Sequence, residues 1–254
     1  MQHKIASDFG AERRLAVTPE IAGWSHLTFR TYGFPHGRPI DGESVDDEVC
    51  MMFLAGSATV TVGAQTWSVN RGADVFTGPP QCIYLPPRHS YLLTPLTDCE
   101  VAYARWPARG LCAPRFIAPE TMAVEERGSG GTAYRVTHVL RAGEAEHLTC
   151  AEILIPPGHW YEDTTPEGDS AESVGAVAAG SVWYYRLDPA SGWALQRLCA
   201  DDGALDEALV LRHGDAVIVR DGRHPVVAAP GYRLYGLHIG AVTDEGAREA
   251  LITV

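Results

Sequence analysis

The sequence of 254 residues lacks the motifs of several large enzyme classes. It has no Gly-x-Ser-x-Gly turn of serine hydrolases, no Gly-x-Gly-x-x-Gly or phosphate loop of nucleotide binders, and no His-Glu-x-x-His helix of zinc peptidases. No two of its 10 histidines are one residue apart. Alternate residues of a strand share one face, so a strand can hold a metal ion through a His-x-His pair. The sequence offers no such pair.

Positive charge and long apolar stretches are also scarce. Asp and Glu outnumber Lys and Arg by 32 to 20, which gives a net charge of -12 and a pI near 5.2. Nucleic acids and anionic membranes repel such a protein unless it carries a segregated basic patch, and the sequence has no run of positive charge. Neither a signal peptide nor an apolar run of membrane-spanning length is recognisable. We therefore expect a cytoplasmic protein with no nucleic-acid or membrane partner; a homo-oligomer stays open.

Paired cysteines are missing as well. The six cysteines are scattered, with no Cys-x-x-Cys pair, and several lie in apolar runs that read as strands. In a chain without an export signal, this pattern predicts buried free thiols rather than disulfides or a zinc site.

Short β-rich runs separated by Gly, Pro, Asn and Asp are what the sequence does contain. Examples are Val-Cys-Met-Met-Phe-Leu from Val49 and Ala-Thr-Val-Thr-Val from Ala58. Many short strands at even spacing predict an all-β sandwich or barrel. Only two short helices are predicted, at Pro119–Arg127 and Thr243–Leu251.

The strand pattern occurs twice, which predicts two tandem barrels. Gly72-Ala-Asp-Val in the first half corresponds to Gly214-Asp-Ala-Val in the second. We expect an N-terminal barrel over residues 1–110, a linker over 111–132 and a C-terminal barrel over 133–254. Opposite His224 of the second half, the first half has Ser90, or His89 if one gap is allowed. No metal site is therefore expected in the first barrel.

Several segments, in their order along the chain, resemble the 5-deoxy-glucuronate isomerase family. The matching segments are Thr18-Pro-Glu-Ile-Ala-Gly-Trp24, Leu85-Pro-Pro, Ala123-Val-Glu, Gly192-Trp-Ala-Leu-Gln-Arg197, Gly214-Asp, His224-Pro-Val and Ala229-Pro-Gly-Tyr-Arg-Leu-Tyr235. The resemblance implies an all-β bicupin, that is, two tandem cupin barrels. It also implies aldose–ketose isomerisation of a sugar acid in inositol breakdown, with a divalent metal such as zinc or manganese as cofactor.

The chain departs from the family where the resemblance implies the metal ligands. Pro166, Gly168 and Ser181 stand at three of the four ligand positions, and only His224 is kept. One histidine is too few to retain an ion, so no cofactor is expected. A rebuilt metal site is the alternative, from residues that flank the old one: His159, Glu162, Asp163, Glu167 and His238. His138 and His147 are interpreted as ordinary histidines.

The residual pocket is predicted in the second barrel. If Ser181 points inward, period-two alternation turns Trp183 and Tyr185 inward too. Arg197, and after it Arg186, are the candidates to bind a sugar-acid carboxylate, because a guanidinium matches it through two hydrogen bonds. The other pocket candidates are His224 and His238. Two hypotheses follow: an isomerase of a sugar acid, or a non-catalytic cupin that binds a small carbohydrate or serves assembly.

Overall fold

The computed structural model describes residues 2–162, 180–200, 202–220 and 222–242. The strands up to residue 117 are β1 (Lys4–Ile5), β2 (Arg13–Val17), β3 (Thr28–Phe34), β4 (Ile40–Glu43), β5 (Asp47–Val62), β6 (Gln65–Gly72), β7 (Cys82–Leu85), β8 (Ser90–Pro95), β9 (Cys99–Pro107) and β10 (Arg115–Ile117). Those that follow are β11 (Ala123–Arg127), β12 (Tyr134–Leu140), β13 (Leu148–Ile155), β14 (Trp160–Tyr161), β15 (Ser181–Asp188), β16 (Ala194–Cys199), β17 (Asp206–Leu211), β18 (Ala216–Val219), β19 (Val226–Ala228) and β20 (Arg233–Ala241). The helical segments described are a helix α1 (Pro19–Ala22) and two 3-10 turns, Pro119–Thr121 and Gly130–Thr132.

The named strands pair antiparallel and form two barrels. The first barrel is a nine-stranded sheet in which β10-β7-β5-β9-β3-β2 follow one another, while β4, β6 and β8 close it through the long strand β5. The second barrel combines a seven-stranded sheet, β1-β18-β15-β20-β13-β12-β11, with a four-stranded sheet, β14-β19-β16-β17. The predicted all-β pair of barrels is thus confirmed.

Alternation along the strands divides the apolar side chains into three cores. On β5, Val49, Met51 and Phe53 point into the first barrel, whereas Cys50 and Met52 point out of it. Outward residues of both barrels meet in a shared core, where Phe29 of β3 lies 5.8 Å from Tyr184 of β15. The barrels therefore pack on each other through an apolar layer, and each keeps an interior of its own.

Buried carboxylates also join the two barrels. Glu48 of β5 is fully buried and accepts hydrogen bonds from the backbone N–H groups of Glu146, His147 and Leu148 at 3.0, 2.7 and 2.7 Å. The hydroxyl of Tyr84 donates to the same carboxylate at 2.7 Å. These bonds tie the first barrel to the residues that open β13 of the second.

A second buried carboxylate belongs to the second barrel and is bound by a side chain of the first. Glu152 of the second barrel lies 3.0 Å from the guanidinium of Arg71, which comes from β6 of the first barrel and is fully buried. The Tyr235 hydroxyl donates to the other oxygen of Glu152 at 2.8 Å. Each barrel therefore supplies hydrogen-bond donors to a buried carboxylate of the other.

The structure corrects one predicted helix. Within Pro119–Arg127 only the turn Pro119–Thr121 is helical, and Ala123–Arg127 is strand β11, paired with β12. Pairing along the whole of Ala123–Arg127 outweighs its weak helical tendency. The second predicted helix, residues 243–251, lies outside the described residues.

The remaining sequence predictions can be placed on this frame. The cysteines are free thiols, as predicted, and all are buried except Cys112, which is half-buried. The domain limits at residues 110 and 133 stay a prediction; β1 and β11 both lie in the sheet of the second barrel. No helix of the described residues is long and apolar enough to cross a membrane.

Candidate functional site

Strand β15 directs an aromatic ladder into the second barrel. Trp183 and Tyr185 are 1% and 0% exposed and stack on each other with ring centroids 6.1 Å apart. The alternate residues Val182 and Tyr184 point into the core between the barrels. This is the inward direction that alternation predicts for Trp183 and Tyr185.

Two histidines and a tyrosine complete a group around the Trp183 indole. His238 of β20 pairs with Trp183 in the backbone register, and the ring centroids lie 4.8 Å apart. The corresponding distances from Trp183 are 5.2 Å to His224 and 5.2 Å to Tyr161. Tyr161, Trp183, Tyr185, His224 and His238 are called the Trp183 cluster below.

Burial controls the charges in this cluster. It lowers the pKa of His238 to about 3, with a further lowering from His224. Burial also raises the pKa of Tyr185, with Tyr161 adding to the effect and the Gln196 side chain opposing it. At neutral pH His238 is therefore a neutral imidazole and Tyr185 a neutral phenol, and both can form hydrogen bonds but carry no charge.

Several polar atoms of this region have no hydrogen-bond partner of ordinary geometry among the described residues. They are Trp183 Nε1, Tyr185 Oη, His238 Nδ1 and Gln196 Oε1; of these, Tyr185 Oη interacts with the Gln196 side chain, but outside that geometry. An unsatisfied buried polar group costs about 1–3 kcal/mol, and such groups are few in native proteins. Their concentration in one barrel interior is typical of a site that binds a polar ligand or ordered water.

Gln196 was missed by the sequence reasoning. It lies on β16, is 1% exposed, and its Nε2 lies 3.4 Å from the backbone carbonyl of His224. Its neighbours in alternation, Ala194 and Leu198, are also buried. Alternation along the segment Ala-Leu-Gln-Arg-Leu from Ala194 was the signal that could have found it.

The structure brings neither predicted arginine to the Trp183 cluster. Arg197 follows Gln196, so it points to solvent, where its Nε lies 2.7 Å from Asp206 Oδ1. Arg186 follows Tyr185 and points toward the first barrel, where its guanidinium pairs with Glu100 and lies 2.9 Å from the Tyr184 hydroxyl. Both side chains are positioned by alternation and already have an acidic partner.

The described residues do not fit a divalent metal ion at the positions where the resemblance implies ligands. Ser181, at the third of these positions, is buried, and the first two, Pro166 and Gly168, lie outside the described residues. In the described part of the chain no three His, Cys, Asp or Glu side chains come together as a ligand set. Two imidazoles are fewer than the three or four protein ligands of a tight site.

The proposed rebuilt ligand set is dispersed among the residues that can be placed. His159 is half-buried, and its Nδ1 lies 2.9 Å from the Ala133 carbonyl oxygen. Glu162 is exposed at the end of the described segment, while Asp163 and Glu167 lie outside it. Of the three that the structure describes, only His238 lies in the Trp183 cluster.

The two histidines interpreted as ordinary have local partners. His138 Nε2 lies 3.3 Å from a carboxylate oxygen of Glu125. His147 Nδ1 lies 3.1 Å from the Val242 carbonyl oxygen. Their partners lie on β11 and next to β20, outside the Trp183 cluster.

Comparisons with known proteins agree with this architecture. A model of the KduI/IolB family matches residues 3–249. A 5-deoxy-glucuronate isomerase of Geobacillus thermodenitrificans is 33% identical over 228 residues, which cover 89% of this chain and 83% of the relative. One from Bacillus subtilis is 25% identical over 229 residues, with 89% and 84% covered.

Solved structures show the same fold. An IolB-like protein from Salmonella typhimurium LT2 superposes with a TM-score of 0.86 at 27% identity, covering 95% of this chain and 93% of that one. An oxalate decarboxylase of Bacillus subtilis superposes with a TM-score of 0.63 at 13% identity, covering 94% and 77%, and is similar in fold alone. The bicupin prediction is thereby confirmed, as is the resemblance to the 5-deoxy-glucuronate isomerases.

Proposed function

Because the chain belongs to the KduI/IolB family, we propose that it is an isomerase of a sugar acid whose site is the Trp183 cluster. The observation that carries the proposal is the set of unpartnered polar atoms around that cluster among the described residues. A sugar acid has hydroxyl and carbonyl oxygens for such atoms and C–H faces for the aromatic rings. The 5-deoxy-glucuronate named for the relatives is the first substrate to test.

The proposed reaction moves a carbonyl group from C1 to C2. A base removes the proton on C2, the electron pair forms a C1–C2 double bond, and O1 takes up a proton. The O2–H bond then breaks, C2 becomes the carbonyl carbon, and C1 receives the proton. The atoms balance without an oxidant, and the chain must supply a proton carrier and donors for the oxygens that gain charge.

The side chains of the cluster suit these tasks. His224 is the proposed proton carrier, because its imidazole lies against Trp183 next to the neutral His238. Neutral His238 and the Tyr185 hydroxyl are the proposed hydrogen-bond donors to O1 and O2, since both remain uncharged at neutral pH. No step is assigned to a metal ion, because the described residues offer no ligand set for one.

A non-catalytic role is the second candidate, and two observations favour it. Ser181 stands where the resemblance implies the third metal ligand, and the stacking of Trp183 on Tyr185 is typical of a rigid binding wall. Such a protein would bind a small carbohydrate or a sugar acid in the same barrel without turning it over.

The deciding experiment follows 5-deoxy-glucuronate by NMR with the protein as purified and after chelation, together with elemental analysis. We expect no stoichiometric metal and slow turnover that survives chelation. Binding without turnover would favour the second candidate. About one tightly held ion per chain, lost together with turnover on chelation, would overturn the metal-free reaction. If the protein neither binds nor turns over the sugar acid, both candidates are contradicted.

A further inference from the structure

The mouth of the first barrel holds a cavity that the proposed reaction does not use. Its volume is about 190 Å³, and its polar lining comes mainly from Arg30, Tyr32, Tyr91, Tyr103 and Arg105. Below this mouth the barrel is filled by apolar side chains of β5 and its neighbours. The cavity is thus lined mainly by polar side chains and lies next to the apolar interior of the first barrel.

Strand alternation explains why these side chains meet. Arg30 and Tyr32 are alternate residues of β3, and Tyr103 and Arg105 are alternate residues of β9. The two strands pair with Arg30 opposite Tyr103, so the two side chains emerge side by side on the inner face. Tyr91 enters from β8.

The aromatic rings form fixed walls. The ring of Tyr103 meets that of Tyr32 edge to face, with centroids 5.5 Å apart and an interplanar angle of 89°. It lies nearly parallel to the ring of Tyr91, at 6.5 Å and 26°. Tyr103 is 8% exposed, and its hydroxyl makes no hydrogen bond of ordinary geometry with a described residue, although it interacts with the Tyr91 side chain. A buried phenol thus lines the cavity without a well-formed hydrogen bond.

The charges around the cavity leave one cation uncompensated. Arg105 lies 3.2 Å from the Asp47 carboxylate and also donates to the carbonyl oxygens of Glu43 and Ser44. Glu12, which also lines the cavity, is paired with Arg38 at 2.7 Å.

Arg30 differs from Arg105 in this respect. It forms no ion pair with a described residue, and its buried Nε has no hydrogen-bond acceptor among them. A half-buried guanidinium without an anion is costly, and a carboxylate is its natural partner.

We propose that this cavity binds a small organic monocarboxylate, with the carboxylate on Arg30 and the Tyr103 hydroxyl and the carbon skeleton between Tyr32 and Tyr91. One uncompensated positive charge matches one carboxylate better than a phosphate dianion. The flat ring faces suit a carbon skeleton rather than an inorganic ion. The first barrel thereby has a ligand site of its own, independent of the reaction proposed for the second.

Titrations observed by NMR test the site directly. The Nε–H signal of Arg30, assigned as the one lost in Arg30→Gln, is followed while acetate, D-glucuronate, inorganic phosphate or D-glucose is added. We expect the two carboxylates to shift and saturate this signal, phosphate to bind at least about tenfold more weakly, and glucose to have no effect. No saturable shift with either carboxylate, or equal binding of phosphate, would overturn the proposal.

Variants separate this site from the second barrel. In calorimetric titrations with acetate we expect Arg30→Gln to weaken binding about tenfold or more and Tyr103→Phe to weaken it several-fold. Arg135→Gln is the control, because that arginine pairs with Glu126 on the surface of the second barrel. Unchanged acetate affinity in Arg30→Gln would refute the assignment. Turnover is measured in parallel, so a failed isomerase assay leaves this result unaffected.

Discussion

The two barrels share a strand pattern but present different chemistry to their interiors. In the second barrel the inward positions hold the Trp183 cluster, with two imidazoles and unpartnered polar atoms among the described residues. In the first barrel the position opposite His224 is taken by exposed Ser90 or by His89, whose Nδ1 lies 2.8 Å from the Pro87 carbonyl oxygen. Few inward substitutions are enough to change what a barrel of fixed shape can bind.

The difference extends to charge. The first barrel places guanidinium groups at its mouth, whereas the second places the neutral imidazole of His238 and the neutral phenol of Tyr185 beside the indole. A site of the first kind selects an anion by charge, and one of the second kind selects polar groups by hydrogen-bond geometry. The contrast leads to four predictions.

The largest effect is expected from replacing His224 of the second barrel, compared with replacing His89, the histidine nearest to the corresponding position in the first barrel. His224→Asn should lower kcat for the proposed isomerisation by about 10²–10⁴, because it removes the proposed proton carrier. His89→Asn is the matched control in the first barrel and should leave kcat within about twofold. Steady-state kinetics by NMR decide the point, and equal losses in the two variants would contradict the assignment of the site to the second barrel.

The next effect concerns the bonds that keep the two barrels together. Glu48→Ala leaves three backbone N–H groups and the Tyr84 hydroxyl without their acceptor. We expect a loss of at least about 3 kcal/mol in the free energy of unfolding, measured in urea. Glu126→Ala, which removes an exposed ion pair with Arg135, should cost less than about 1 kcal/mol. Similar losses in both variants would show that the Glu48 bonds do not stabilise the contact.

Acid should weaken the second barrel before the first. His138 lies on β12 and His213 lies between β17 and β18, all of them strands of the second barrel. Burial lowers the pKa of both histidines below that of a histidine in the unfolded chain. Their contribution to stability is complete above about pH 6.5 and is lost as the pH falls toward the folded-state values, because the unfolded chain then binds more protons. Burial raises the pKa of Asp47 and Glu48 in the first barrel. Their effect on stability is opposite to that of the histidines, because the folded chain then binds more protons and gains stability as the pH falls.

Amide hydrogen exchange at pH 7.5 and 5.5, corrected for intrinsic rates, measures this difference. We expect protection to fall in β12 and β15 while it is kept in β5 and β9. His138→Gln should reduce the difference between the two pH values. Earlier loss of protection in β5 would show that carboxyl groups, not histidines, set the acid sensitivity.

The smallest effect is expected from Arg197→Ala. The side chain is exposed and paired with Asp206, so its removal should leave the free energy of unfolding almost unchanged. The prediction from sequence, that Arg197 binds the sugar-acid carboxylate, instead requires a clear loss of affinity for D-glucuronate in the second barrel. Calorimetry in an Arg30→Gln background measures that affinity without the first-barrel site. Unchanged affinity would remove Arg197 from the pocket.

Local patterns were enough to predict much of this molecule. Alternation along β15 gave the inward direction of Trp183 and Tyr185, and the repeat of Gly72 and Gly214 gave the two barrels. The same alternation, applied to β16, would have selected Gln196. The predicted helix at Pro119–Arg127 failed because pairing with β12 decides the conformation of its second half.

Contacts between distant segments could not be predicted in this way. Arg186 was a pocket candidate because a guanidinium suits a carboxylate, but its partner Glu100 lies on β9 of the other barrel. Arg30 and Tyr103 meet only because β3 pairs with β9 in one register. Such pairings depend on tertiary structure, which residue type and spacing do not encode one segment at a time.

The pairing of β1 with β18 joins two segments that are synthesised at very different times. Lys4 pairs with Val217, the Ile218 N–H donates to the His3 carbonyl oxygen at 2.8 Å, and Lys4 Nζ lies 3.2 Å from Asp215. On the ribosome the first residues emerge long before their partners are synthesised, so they wait unpaired while the first barrel forms. A lesion or fusion at residues 3–5 therefore becomes a defect at the edge of the barrel that is translated last.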